Sequence, residues 1–177
     1  LDTGVERLMV FKSTSGGVLC IVGPNSFFPL AHMCKKQGAV SLSTPEAEMI
    51  ALTQFLKDLG VPLMDMLELM MENKVCIDVM EDNEATQKII ANGKYEKALA
   101  HVNRTHGLNL GWTVDCMRKG LFSVSDCHTK AQAADIHTKF FTAPIAWLHC
   151  LALIGVFWGL KVALDRTGLA SPSKKDK

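Results

Sequence analysis

Val75-Cys76-Ile77-Asp78-Val79-Met80-Glu81-Asp82-Asn83-Glu84-Ala85 is the stretch whose reading decides the fold. Val75, Ile77 and Val79 alternate with Cys76, Asp78 and Met80, the period of two expected of a strand with one covered face. The alternation stops at Glu81-Asp82-Asn83, and a short helix is expected over Glu84 to Ala91, closing near Gly93. Asp82 therefore stands at the carboxyl end of a strand, where α/β proteins place ligands. Taken alone, it could equally serve with Asn83 as an ordinary helix cap.

Upstream, two strands joined by the Gly23-Pro24-Asn25-Ser26 turn are expected from Gly16 to Met33, with Val5 to Phe11 offering a further strand before them. Ser43-Thr44-Pro45-Glu46 then supplies an N-cap, a first-turn proline and a capping-box glutamate, so a helix should run from Pro45 to Leu59 and end at Gly60. A second helix follows Pro62 as far as Asn73. Downstream of Gly93, a long helix over His101 to Lys119 and a strand over Leu121 to Ser125 are expected. Strands first, then helices and strands in alternation, make a mixed α/β order with early hairpin pairing and later crossovers.

The composition sets bounds on partners. The chain has 177 residues, 48% hydrophobic, with 19 basic against 18 acidic side chains. It is too apolar and too balanced for disorder, and a net charge of +1 gives no general attraction to polyanions. Local distribution is more telling: from Asp65 to Glu84 there are seven acids and one base, Lys74. The six cysteines are scattered, with no CxxC pair, and read as reduced thiols; a metal site at Cys127-His128 lacks a second pair at ligand spacing. A start at Leu1 with the first methionine at Met9 points to a piece of a processed polyprotein.

Three acids stand out. On a helical wheel Glu48 shares its row with Ala51, Leu52, Phe55 and Leu59, facing the core, whereas Glu46 shares its row with Thr53 and Lys57. A carboxylate on a covered face needs a cationic partner, either a basic side chain or a metal ion. Glu48, Asp82 and Asp135, the last in Gln132-Ala133-Ala134-Asp135-Ile136-His137-Thr138-Lys139, could converge on hard divalent cations, which prefer oxygen ligands.

Six strings then occur in order: Lys12-Ser13-Thr14-Ser15-Gly16-Gly17, Lys35-Lys36-Gln37, Ser41-Leu42-Ser43-Thr44-Pro45-Glu46-Ala47-Glu48, Glu81-Asp82-Asn83-Glu84-Ala85, His101 with Arg104-Thr105-His106, and Ala134-Asp135-Ile136-His137-Thr138-Lys139. Together they resemble the ribonuclease H domain of copia-type retrotransposon Pol polyproteins. The resemblance implies a ribonuclease H-like mixed sheet flanked by helices over residues 1–143, in which either Asp2 serves with a shifted register or the N-terminal strand is truncated, with an apolar helix over 144–164 packed on it and a flexible tail over 165–177. It matches Glu48, Asp82 and Asp135 to the family's catalytic, metal-binding acids. The first family aspartate falls near Asp2, whose Leu1-Asp2-Thr3-Gly4 surroundings differ from the family's, and His137 replaces a phenylalanine. The implied activity is hydrolysis of the RNA strand of RNA–DNA hybrids by two Mg2+ ions, with Mn2+ as a substitute. Lys35, Lys36, Asn83, Arg104 and His106 are the implied nucleic-acid contacts, and His106 or His128 a proton-transfer aid. The implied partner is the reverse transcriptase domain of the same polyprotein, in cytoplasmic virus-like particles with nuclear access.

Other readings stay open. Asp2-Thr3-Gly4 also resembles an aspartic-protease loop, but Val5-Glu6 and the helix content oppose it. Residues 140–160 carry no Asp, Glu, Lys or Arg, with His149 their one basic side chain, and are long enough to span a bilayer. Packing of Trp147, Leu151, Ile154 and Trp158 on the sheet is the preferred alternative. A ribonuclease H-like remnant that binds nucleic acid or serves as a scaffold without chemistry is the other.

Overall fold

The computed structural model describes residues 12–93 and 99–156. Asp2, the strand expected over Val5 to Phe11, Trp158 and the tail lie outside the described residues. Within them the chain is mixed α/β. Strands β1 (Thr14–Gly23) and β2 (Ser26–Lys36) form an antiparallel hairpin around the expected turn. A bulge at Leu19/Cys20 shifts the register beside Pro29, which has no N–H to give to a ladder.

Helix α1 (Thr44–Phe55) starts where the sequence signals it, with Ser43 Oγ accepting the Glu46 N–H (3.3 Å). It does not end at Gly60. A single π-turn over Leu56–Gly60 carries the backbone without a break into α2 (Val61–Met71), because Pro62 falls in the first turn of the new helix, where its missing N–H costs nothing. Strand β3 (Ile77–Glu81) leads into α3 (Glu84–Asn92), which Gly93 closes in the left-handed conformation, φ 61°. The long helix expected from His101 to Lys119 is instead two: α4 (Val102–His106) and α5 (Leu110–Arg118). Gly107, at φ 67°, ends the first, and Asn109 caps the second through the Gly111 N–H. Strand β4 (Phe122–Asp126) pairs parallel with β3, and α6 (Asp135–Thr138) and α7 (Pro144–Leu153) follow. The described strands make two two-stranded ladders. No helix among the described residues is long and apolar enough to cross a membrane.

The core gathers Met49, Ile50, Leu52 and Leu56 of the first helical stretch with Ile90, Val102, Leu110 and Phe122, and the inward side chains Ile77, Val79 and Val124 of β3 and β4 pack on it. Helix α1 lies between β1 on one side and α3 and α5 on the other. Every residue from Met49 to Thr53 is therefore buried. Ile90 of α3 has no exposed surface, so Ile90→Ala should lower the unfolding free energy by about 2–5 kcal/mol in urea titrations, unlike a truncation at exposed Met66.

Candidate active site

Three elements far apart in sequence bring acids together. Glu48 leaves α1 half-buried, Asp82 follows the last residue of β3, and Asp135 opens α6. The Glu48 carboxyl is pushed above its ordinary range, first by burial and then by the negative charges of Asp82 and Asp135, with Lys139 acting in the opposite sense. Burial dominates the upward shifts of the Cys127 and Cys150 thiols, and Asp135 adds to both.

Local sequence explains the placement. Asn83, not Asp82, caps α3: its Oδ1 accepts the Ala85 and Thr86 N–H groups at 3.0 and 3.2 Å. The cap commits Asn83 to the backbone and keeps Asp82 out of that role. The segment before α6 is tied to the end of β3, since the Cys127 N–H donates to Glu81 O and Gln132 Nε2 donates to Met80 O. Glycines in the Ser15-Gly16-Gly17 string permit the rest. A Cβ on Gly16 would lie 2.6 Å from Thr138 Cγ2 and 3.1 Å from Ala134 O, and one on Gly17 would strike the Phe55 ring at 2.3 Å. The side chain missing at Gly16 lets α6, and with it Asp135, close on β1, and the one missing at Gly17 makes room for Phe55 of α1. Gly16→Ala should therefore cost about 1–3 kcal/mol of stability, read by urea denaturation, because the β-branched Thr138 side chain, and α6 behind it, must give way. His137 stacks on His32 with ring centroids 5.3 Å apart, so the imidazole fills an aromatic's place on the hairpin; burial, then His32, lowers its pKa.

Two acids that the sequence reading did not assign to the site belong to its surroundings. Glu81 is in phase with Ile77 and Val79, so the same alternation that marks the strand points its carboxyl inward, where it is 6% exposed. It accepts the Asn83 N–H at 3.0 Å. Burial raises its pKa to about 7; the Asn83 N–H works against the rise, and Glu48 and Asp82 add to it. The second acid is Glu46, and here the wheel reading is corrected: Glu46 is the deeply buried glutamate, 1% exposed, while Glu48 is only partly covered. Helix α1 is enclosed on more than one side, so a single apolar stripe cannot rank its positions. Glu46 Oε2 accepts the Leu42 N–H (3.1 Å), and Oε1 faces His101 Nε2 at 3.1 Å and His106 Nε2 at 3.9 Å.

The expected nucleic-acid contacts are spread out. Lys35 and Lys36 are exposed near the end of β2, Lys35 lying 3.8 Å from Asp58, and Arg104 is exposed on α4. Asn83 is engaged in its cap. The His106 side chain is 2% exposed and packed toward Glu46, so it presents no surface to a duplex. His128 Nδ1 accepts the Lys130 N–H.

Oxygen donors from carboxylates suit Mg2+, and their mutual repulsion is what a cation would relieve. Among the described residues, however, no three His, Cys, Asp or Glu side chains are already arranged to hold a metal ion. Asp135 Oδ2 is instead 2.6 Å from the Lys139 ammonium, which serves as the local cation. A cavity of about 500 Å3 opens beside Lys139 and is lined by Phe140, Phe141 and Trp147; it lies next to the acids rather than among them. Compared with known proteins, the chain matches no family model, no curated protein and no solved structure.

Proposed function

We propose that this chain is a ribonuclease H-like, metal-dependent nuclease that hydrolyses the RNA strand of RNA–DNA hybrids, as its resemblance to copia-type retrotransposon domains implies. The observation that carries the reading is the meeting of Glu48, Asp82 and Asp135 from α1, the end of β3 and α6. The order strand, helix, strand, helix around that meeting point is compatible with a ribonuclease H-like sheet.

Glu48, Asp82 and Asp135 would hold Mg2+, or Mn2+ in its place, and Asp2 is the remaining acid that the resemblance supplies. When bound, the metal pair supplies an activated water and a Lewis acid at the leaving oxygen. The chain's own contribution is placement. The α3 cap leaves Asp82 available, Gly16 lets Asp135 approach, and burial beside Asp82 favours cation binding by Glu48. Lys35, Lys36 and Arg104 are the basic groups offered to phosphates, and discrimination of RNA would come from 2′-hydroxyl and groove-shape contacts rather than from sequence. The reading also carries the reverse transcriptase domain of the same polyprotein as partner and a virus-like particle as setting.

The test is cleavage of an end-labelled RNA–DNA hybrid. Mg2+-dependent products are expected, abolished by EDTA and absent with duplex DNA. The Asp135–Lys139 pair favours one alternative, a remnant that binds the hybrid without cutting it. Hybrid retention with product no higher than in Asp82→Asn, in the chain and in a version extended upstream, would select that alternative.

A further inference from the structure

We propose that His101 and His106 are positioning residues for the acid cluster: by closing on Glu46 they fix the first turn of α1 and so the place of Glu48. This inference rests on the metal-binding reading of Glu48, Asp82 and Asp135. Glu46 and Glu48 are two residues apart, which on an α-helix directs them to nearly opposite sides. Glu48 turns toward Asp82 and Asp135, and Glu46 turns into the protein toward α4.

Both oxygens of the buried Glu46 are occupied. Oε2 accepts the Leu42 N–H just before α1, and Oε1 faces the two imidazoles. Neither ring nitrogen of the buried His106 has a hydrogen-bond partner among the described residues, and its Nε2 lies 3.9 Å from Glu46 Oε1. An arrangement of this kind is a poor way to gain stability. Enclosing the Glu46 carboxylate takes it out of water at a cost that its partners must offset, and apolar side chains of similar volume are often as stable. What the polar trio supplies is direction. A carboxylate held by the Leu42 N–H and the His101 ring, with the His106 ring closing the space at 3.9 Å, has one place to sit, whereas leucines there would let the first turn of α1 slide. Helix α4 is only five residues long; Val102 joins the core that α1 builds, and the imidazoles at its two ends meet Glu46.

Supporting partners of metal ligands alter metal affinity by about 10–100-fold when removed. The experiment is Mn2+ binding followed by electron paramagnetic resonance, with the thermal midpoint recorded for each variant. Glu46→Ala should raise the Mn2+ dissociation constant about tenfold. Glu46→Gln, which keeps an acceptor at the same place, should restore it to within about threefold of wild type. The double change His101→Ala with His106→Leu should match Glu46→Ala, and combining all three should give no further loss, because the residues act as one unit. Thr113→Val, which removes the 2.7 Å hydroxyl contact to Thr53 farther along α1, should lower the thermal midpoint and leave Mn2+ affinity unchanged.

Losses of stability in the Glu46 and histidine variants with Mn2+ affinity within twofold of wild type overturn the inference. So do Glu46 and histidine effects that simply add. Where Glu46→Ala does not fold, the histidine pair and Glu46→Gln carry the same comparison. A wild-type chain that binds no Mn2+ overturns the metal-binding reading itself, which separates the two failures.

Discussion

Asp82→Asn should abolish hybrid cleavage, by on the order of 10³-fold, while leaving the protein as stable as wild type or more so at pH 8. The two effects run in opposite directions for one reason. Asp82 raises the cost of ionising both Glu48 and Glu81. Removing its charge relieves both neighbours, but it also removes a donor that a cation would need. Asp82 takes no part in the α3 cap, which belongs to Asn83, so the amide should leave the helix start intact. The paired measurement is product formation from labelled hybrid and the urea midpoint of the same preparation. Cleavage that survives in Asp82→Asn would falsify the assignment of Asp82. A large loss of stability would instead mean that Asp82 does structural work not seen here.

Glu81→Gln should stabilise the chain at pH 8 by about 2 kcal/mol and have almost no effect near pH 4.5. Glu81 titrates near 7 in the folded chain against about 4.5 when unfolded, because burial penalises its charge and Glu48 and Asp82 add to the penalty. A raised carboxyl pKa means that the folded chain holds a proton that the unfolded chain has already released. The stability tied to that proton is fully present below pH 4.5 and is lost as pH rises through about 7. The full shift corresponds to roughly 3 kcal/mol, reduced here because water reaches part of the site. Glutamine does not titrate, and its side-chain oxygen can still accept the Asn83 N–H. The gap between variant and wild type should therefore open between pH 4.5 and 7 and stay constant above, in urea midpoints taken at each pH. For a chain of this size 2 kcal/mol corresponds to about 4–8 °C in thermal midpoint. Parallel curves for the two proteins would place the proton elsewhere. Mg2+ bound at the cluster should narrow the gap at pH 8, since it neutralises the same charges.

These expectations depend on residues of unequal visibility. Asp82 could be found because strand periodicity ends beside it, and Asp135 because an element begins there. Glu81 was also within reach: the alternation that turns Ile77 and Val79 inward turns Glu81 inward with them, though its position at the strand end drew the reading toward a turn. Glu46 was misread. A helical wheel assumes one covered face, and α1 is covered by β1, α3 and α5. The break between α4 and α5 was marked by Gly107 and Asn109, a helix stop followed two residues later by a helix start, inside a stretch that otherwise carries apolar residues at helical spacing. Pro62 signals the start of a new helix after a gap, whereas a π-turn places it in the first turn of a continuous one.

The sequence by itself determined the order of strands and helices along the chain, the strand end that presents Asp82 and the Ser43 and Asn83 caps. Each of these depends on neighbours within a few positions, where backbone dihedrals and local hydrogen bonds decide. Only the tertiary structure decided that Glu48 meets Asp82 and Asp135, that Lys139 is their present cation, and that Glu46 is buried against His101 and His106. Charge interactions and burial depend on distance in space, and residues 34 to 87 positions apart acquire a common environment only when the intervening chain has folded.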